Sequence, residues 1–245
     1  MYIRKLVPSD APLMLEWMHT PDISRHFRAD FASMTIDDAE RFVRSSRKMT
    51  PDGSINAAVS SDTDEYMGTV SLKHTDFIGG SAEFAIVTRS CAMGKGFAWF
   101  AMNWIITGAF RDLGLNLVYW NVLKDNHRAV RFYDKHNFSE MLDVPAEFLK
   151  HYEGIENLKW YYVNSPMTDE KTPPIIDSRL TTHDSRLTTH DSRLTTHDSR
   201  SYFVFTRILV DYIHTLITKI FISLFIYICG QRFFIDSLRE DIYLS

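Results

Sequence analysis

The stretch EFAIVTRSCAMGKGFAWFAMNWIITGAF, from Glu83 to Phe110, decides the fold. Its opening belongs to an alternating segment, Ser81 to Thr88, that predicts a strand with Glu83 inside it. Gly94 to Arg111 predicts a long helix. Gly94 and Gly96 bracket Lys95 where strand gives way to helix. Glycine lets the backbone come close to a ligand because no Cβ intervenes. A helix start offers unpaired N–H groups and the positive end of a dipole. Together these features suit a pyrophosphate, although a glycine-spaced turn also serves as a plain helix start. The spacing lacks the Gly-Lys-Ser/Thr of a P-loop. It is not G-x-G-x-x-G either, because Trp99 stands at the third glycine's place.

A second stretch, LVYWNVLKDNHRAVRFYDKHNF, runs from Leu117 to Phe138. Leu117 to Leu123 predicts an apolar strand and Asn126 to His136 a helix, with Asn126 as its N-cap. Asn126, Ala129 and Tyr133 fall near one helix face. That spacing aims Tyr133 toward a ligand lying between the two strands.

In this order the two stretches resemble the GNAT (Gcn5-related N-acetyltransferase) superfamily. CAMGKG, from Cys91 to Gly96, is similar to its acetyl-CoA motif Q/R-x-x-G-x-G/A, with Cys91 departing at the first position. Arg89, two residues earlier, is the candidate substitute. Asn126, Ala129 and Tyr133 match N-x-x-A-x-x-x-Y, and Asn137-Phe138 matches the segment that follows. The resemblance covers about residues 1 to 163. It implies a mixed α/β (α+β) fold: a mixed sheet splayed between its fourth and fifth strands, with helices on both faces. Acetyl-CoA would lie in the opening and no metal would be needed. Its pantetheine would pair with the backbone of Phe84, Ala85, Ile86 and Val87. Its phosphates would meet Met93, Gly94, Lys95, Gly96, Phe97 and Ala98, and Asn126 and Ala129 would flank it. Acyl transfer would then proceed by proximity. Glu83 is the candidate base for the amine, directly or through water, and Tyr133 the candidate acid for the departing thiolate.

Ahead of these stretches, Tyr2 to Val7 predicts a strand, and Ser9 or Asp10 can cap a helix carrying Leu13, Leu15 and Trp17. Thr35 opens a capping-box pattern, TIDD, before a helix carrying Ala39, Phe42 and Val43. Ser54 to Ser60, Tyr66 to His74 and Leu158 to Val163 predict further strands. LEWMHTPDISRHF, from Leu15 to Phe27, resembles a segment of bacterial N-acetyltransferases that act on nucleotide-linked amino sugars. It is similar, more loosely, to the ribosomal-protein N-terminal acetyltransferases. Trp17, Arg25 and Phe27, with His19 and His26 beside them, are the candidate acceptor contacts. An aromatic ring can stack on a base or sugar and an arginine can hold a phosphate. Trp17 at helical spacing from Leu13 equally suits a core position. The alternatives are a protein N-terminal acetyltransferase and a non-catalytic CoA-binding module.

The 245 residues carry a formal charge of -4, which gives no basic stripe for nucleic acid. Cys91 and Cys229 stand far apart, so neither a disulfide framework nor a cysteine metal site is expected. The N-terminus lacks the apolar core of a signal peptide, and a cytoplasmic monomer or homodimer is expected. The chain divides into residues 1–165, a linker over 166–200, and an apolar tail over 201–245. The linker holds DSRLTTH three times from Asp177 to His197, then DSR. One apolar residue per heptad cannot form a coiled-coil seam, so disorder is expected. GAC TCA CGA CTC ACG ACT CAC encodes the unit and is the heptanucleotide GACTCAC read through all three frames. A slipping DNA repeat of that kind would shift the frame, vary the tail and switch the gene, which suits surface-glycan modification. The tail's densest apolar run, Ile220 to Cys229, is shorter than a membrane span needs. Peripheral contact with the inner membrane face and frame-shifted translation are both open for it.

Overall fold

The computed structural model describes residues 1–166 apart from Arg28 and Pro51. The repeats and the apolar tail lie outside the described residues. Seven strands form one sheet: β1 (Tyr2–Arg4), β2 (Ile55–Ser60), β3 (Tyr66–Asp76), β4 (Ser81–Thr88), β5 (Leu117–Leu123), β6 (Ser139–Glu140) and β7 (Leu158–Asn164). Their order is β1-β2-β3-β4-β5-β7-β6. Neighbours pair antiparallel except β4 and β5, which run parallel. The helices are α1 (Ala11–Met18), α2 (Pro21–Ser24), α3 (Ile36–Ser45), α4 (Phe97–Arg111), α5 (His127–Lys135) and α6 (Ala146–Leu149).

Strand alternation sends side chains to two faces. Ala57 and Val59 enter the core beneath α4, while Ala58 enters the one beneath α1 and α3. On β5, Val118 and Trp120 join the α4 side, and Tyr119 turns the other way to stack on Phe148 of α6 at 3.7 Å. Helices therefore cover both faces, as expected.

The parallel pair is short. Ser81, Ala82 and Glu83 oppose Leu117, Val118 and Tyr119, and there the register ends. Both strands continue, β4 along β3 and β5 along β7. Beyond Glu83 the two edges face a wedge of space, which is the expected splay.

Several expected elements change at their ends. The first strand stops at Arg4 instead of Val7. Pro8 has no N–H for a ladder, and the Arg4 guanidinium turns to Asp10 at 2.7 Å. Asp10 is consequently no side-chain cap for α1: its carboxylate is bound by Arg4 and by the Val7 amide at 2.9 Å. The long helix begins at Phe97, with Gly94 and Gly96 outside it at φ +73° and +84°. Only glycine enters that region without a Cβ clash. Thr35 and Asp38 form the expected capping box of α3. α2, β6 and α6 have two to four residues each and no periodicity to reveal them. Among the described residues no helix is long and apolar enough to cross a membrane.

Candidate active site

Two clefts meet at the splay. The larger, about 720 Å3, is lined by Glu83 through Ile86 of β4, Trp120 through Leu123 of β5, and Asn126, Ala129 and Tyr133 of α5. The smaller, about 420 Å3, lies on the α1 and α3 side and is lined by Trp17, Phe42, Thr69 and Ser71, among others. Phe27, Phe31, Lys73, Ala85 and Ile86 line both.

Glu83 is 3% exposed and points to the face opposite α4. The Tyr152 hydroxyl donates to its Oε1. His74 Nε2 stands 3.8 Å from its Oε2, and the His74 ring stacks on His151 at 3.8 Å. Tyr133 reaches the cleft from the other face, packed between Trp120 and Tyr161 at 5.3 and 5.1 Å. Asn126 places it by accepting from the Ala129 amide at 3.2 Å, which fixes the start of α5. Burial raises the Tyr133 phenol well above its ordinary value, and the nearby Tyr161 adds to this. Tyr152 is raised by burial and by the Glu83 charge. Both phenols therefore keep their protons at neutral pH.

The glycine turn sits beside the splay and lines neither cleft. The space a Cβ would occupy at Gly94 or Gly96 is open to 4 Å. Among the described residues, the amides of Gly96, Phe97 and Ala98 donate to no backbone carbonyl. This surface fits an anion. Lys95 is exposed on it, and Met93 flanks it, half-buried.

Arg89 departs from its expected place. Its guanidinium is 2.7 Å from Glu16 and 2.6 Å from Glu65, and it also donates to the Tyr66 carbonyl. It ties β4 to α1 and is not presented to the turn. Arg25 also departs: it is exposed, 3.6 Å from Asp22, and lines neither cleft. Trp17 combines both readings considered for it. It is 3% exposed in the core, donates to the Tyr66 hydroxyl at 3.2 Å, and still forms part of the smaller cleft. Its ring meets Phe31 edge-on at 5.0 Å, and Phe31 meets Phe27 at 5.4 Å. His26 lines the larger cleft, and burial lowers it, with Arg25 acting in the same sense. His19 is engaged with the Met34 carbonyl at 2.8 Å.

Sequence reasoning missed Lys73, His74, His151 and Tyr152. Lys73 directly opposes Glu83 in the β3–β4 register, a relation visible only once the strands pair. His151 and Tyr152 lie in the 3-10 turn Lys150–Tyr152 after α6, a segment without periodicity.

The model of the family described as acetyltransferase (GNAT) domain matches residues 1–139. The chain belongs to the GNAT acetyltransferase family. It is an acetyl-CoA-dependent N-acetyltransferase. Acetyltransferase PseH of Campylobacter jejuni (strain 81-176) is 26% identical over 142 residues, covering 55% of this chain and 80% of that protein. Spermidine N(1)-acetyltransferase of Vibrio cholerae is 34% identical over 82 residues, 34% of this chain and 47% of its own length. A crystal structure of spermidine N-acetyltransferase from Vibrio cholerae with CoA and spermine matches with a TM-score of 0.55. It is 23% identical and covers 66% of this chain and 94% of that one. At that identity the likeness supports the shared fold.

Proposed function

We propose that this GNAT enzyme acetylates a primary amine on a nucleotide-linked sugar, in the service of surface-glycan synthesis. Acetyl-CoA supplies the activated acetyl group. The wedge between β4 and β5 is its place, with Phe84 to Val87 offering a free strand edge to the pantetheine. Met93 to Ala98 would hold the diphosphate through the amides of Gly96, Phe97 and Ala98, which donate to no backbone carbonyl, and through the helix dipole. The observation that carries the reading is the end of the β4–β5 pairing at Glu83 and Tyr119. It lets Glu83 from one face and Tyr133 from the other line a single cleft. Glu83 takes the proton that leaves the acceptor amine. Tyr133 gives its proton to the departing thiolate. Holding both reactants in one cleft replaces a bimolecular encounter.

Charge supports a sugar acceptor over a polyamine. The carboxylates lining the two clefts are Glu83 and Asp38, against the cations Lys73 and Arg41. Asp38 is held by Arg41 at 2.9 Å and by Thr35. Among the described residues that line the clefts, Glu83 alone remains to meet an ammonium, and the base role needs it. A polyamine carries several ammonium groups, each costly to desolvate without a carboxylate. An uncharged ring with an anionic tail suits Trp17, Phe27 and Phe31 beside Lys73 better. The test incubates the protein with acetyl-CoA and, separately, UDP-glucosamine, spermidine or an N-terminal peptide, reading thiol release. Release with UDP-glucosamine alone is the expected result. Release with spermidine or the peptide, and none with the sugar, would overturn this assignment.

A further inference from the structure

The strand β3 carries an irregularity on the site's own edge. Its pairing with β4 is regular from Gly68 to Lys73, then shifts register before Asp76. Inside that shift His74 has φ +48°, the left-handed region that a residue with a Cβ enters at a cost. Regular alternation would send His74 to the face of Leu72, under α4. The bulge turns it onto the face of Glu83, with Nε2 3.8 Å from the carboxylate. Bulges beside active sites re-aim side chains in this way, and strained residues collect at functional sites. From the opposite side the turn Lys150–Tyr152 adds two contacts. The His151 ring lies flat on His74, 7° from parallel, and Tyr152 donates to Glu83.

We propose that His74 is the proton outlet of Glu83, positioned by the bulge and by the stacked His151. The inference rests on the acetyl-transfer reading, in which Glu83 is the base. An N–H bond of the acceptor amine breaks as an O–H bond forms on Glu83. That O–H then breaks as an N–H forms on His74 Nε2. The side chain of His74 is 30% exposed, and its imidazolium releases a proton to water, leaving both groups ready for another cycle. The 3.8 Å separation is one small side-chain rotation from a hydrogen bond.

The charges around His74 keep it neutral at rest. Burial is the first cause of its lowered pKa, followed by Lys73 beside it; Asp52, from the turn before β2, opposes, and Lys150 acts with Lys73. Glu83 faces it from β4 and His151 from the 3-10 turn. The Tyr152 and Tyr119 phenols, both raised by burial and the Glu83 charge, add no charge at neutral pH. Asp76 is turned away, accepting from the amides of Ile78 and Gly79 at the hairpin tip. A neutral imidazole can accept a proton, and it loses that capacity as pH falls through its lowered value, below the ordinary 6.5.

Two measurements test the outlet. In the first, nitrogen NMR of the histidine rings follows the titration of His74 in the full chain and needs no acceptor. Glu83→Gln should lower its midpoint, because the imidazolium loses its counter-charge. A midpoint unmoved by Glu83→Gln overturns the proposal. In the second, with UDP-glucosamine as the acceptor probe, His74→Gln should lower kcat about tenfold with the KM for acetyl-CoA unchanged. Free imidazole should restore the rate. His74→Asn, better tolerated at positive φ, is the second variant. Wild-type turnover in both variants, or a loss that imidazole does not restore, overturns it equally. If the wild-type protein itself leaves UDP-glucosamine untouched, the sugar reading fails, and the NMR titration still decides the outlet.

Discussion

Tyr133 sits 7% exposed between Trp120 and Tyr161 and lines the larger cleft. Burial holds its proton in place, which an acid for a thiolate requires. Phenylalanine would keep that packing and remove the proton. Tyr133→Phe should therefore lower kcat about 100-fold with acetyl-CoA affinity little changed, measured by thiol release and by calorimetry. Unchanged turnover would remove Tyr133 from the mechanism. Gly96 poses a different question. Nothing crowds a Cβ there, but its φ of +84° strains any other residue. Gly96→Ala should cost about 1 kcal/mol in urea unfolding. It should also weaken acetyl-CoA binding, because the added methyl projects into the proposed diphosphate surface. A loss of stability with affinity intact would place the phosphates elsewhere.

At the scale of elements, the helix starts are set by short-range hydrogen bonds that sequence displays directly. Thr35 and Asp38 close the α3 box, and Asn126 caps α5. Thr35→Ala and Asn126→Ala should each cost about 1 kcal/mol in chemical denaturation. Only the second should also slow turnover, since α5 carries Tyr133. The box has a pH signature. Hydrogen bonds from the Thr35 side chain and amide lower the Asp38 pKa below its ordinary 3.8. A carboxylate with a lowered folded-state pKa contributes stability that is present above 3.8 and lost as pH falls through the lowered value. The stability gap between the wild type and Asp38→Asn should close over that acidic window and stay constant above it. Elements set by long-range contacts were less legible. The β3 bulge, the 3-10 turn with Tyr152 and the four-residue α6 carry no periodic signal.

At the scale of the whole molecule, the candidate acid and base and the residues that line the two clefts are drawn from the described residues, 1–166. A chain ending after Pro166 should keep wild-type kcat with UDP-glucosamine; its loss would assign the tail a part in the enzyme. We also propose the heptanucleotide reading of the DSRLTTH repeats, which makes a sharp demand on the gene. Codons spelling GACTCAC without interruption would support frame switching of the tail, and codons that do not repeat every seven nucleotides would refute it. The glycine turn, the Asn126–Tyr133 face and Glu83 inside its strand were all readable in advance, because each depends on residues close in the chain. Two site expectations that the structure alters, Arg89 at the phosphates and Arg25 at the acceptor, concerned where long side chains end. An arginine's destination depends on carboxylates remote in sequence, here Glu16 and Glu65 for Arg89.

The longer strands and helices and the glycine turn followed from local sequence, because backbone periodicity, capping and glycine conformation act over a few residues; the candidate acid and base came from the resemblance to the GNAT motifs. The tertiary structure alone decided where β4 and β5 part, that Glu83 and Tyr133 approach one cleft from opposite faces, and that His74 and Tyr152 gather at Glu83. Those relations come from strand register and from packing between distant segments, and no stretch of sequence encodes them by itself.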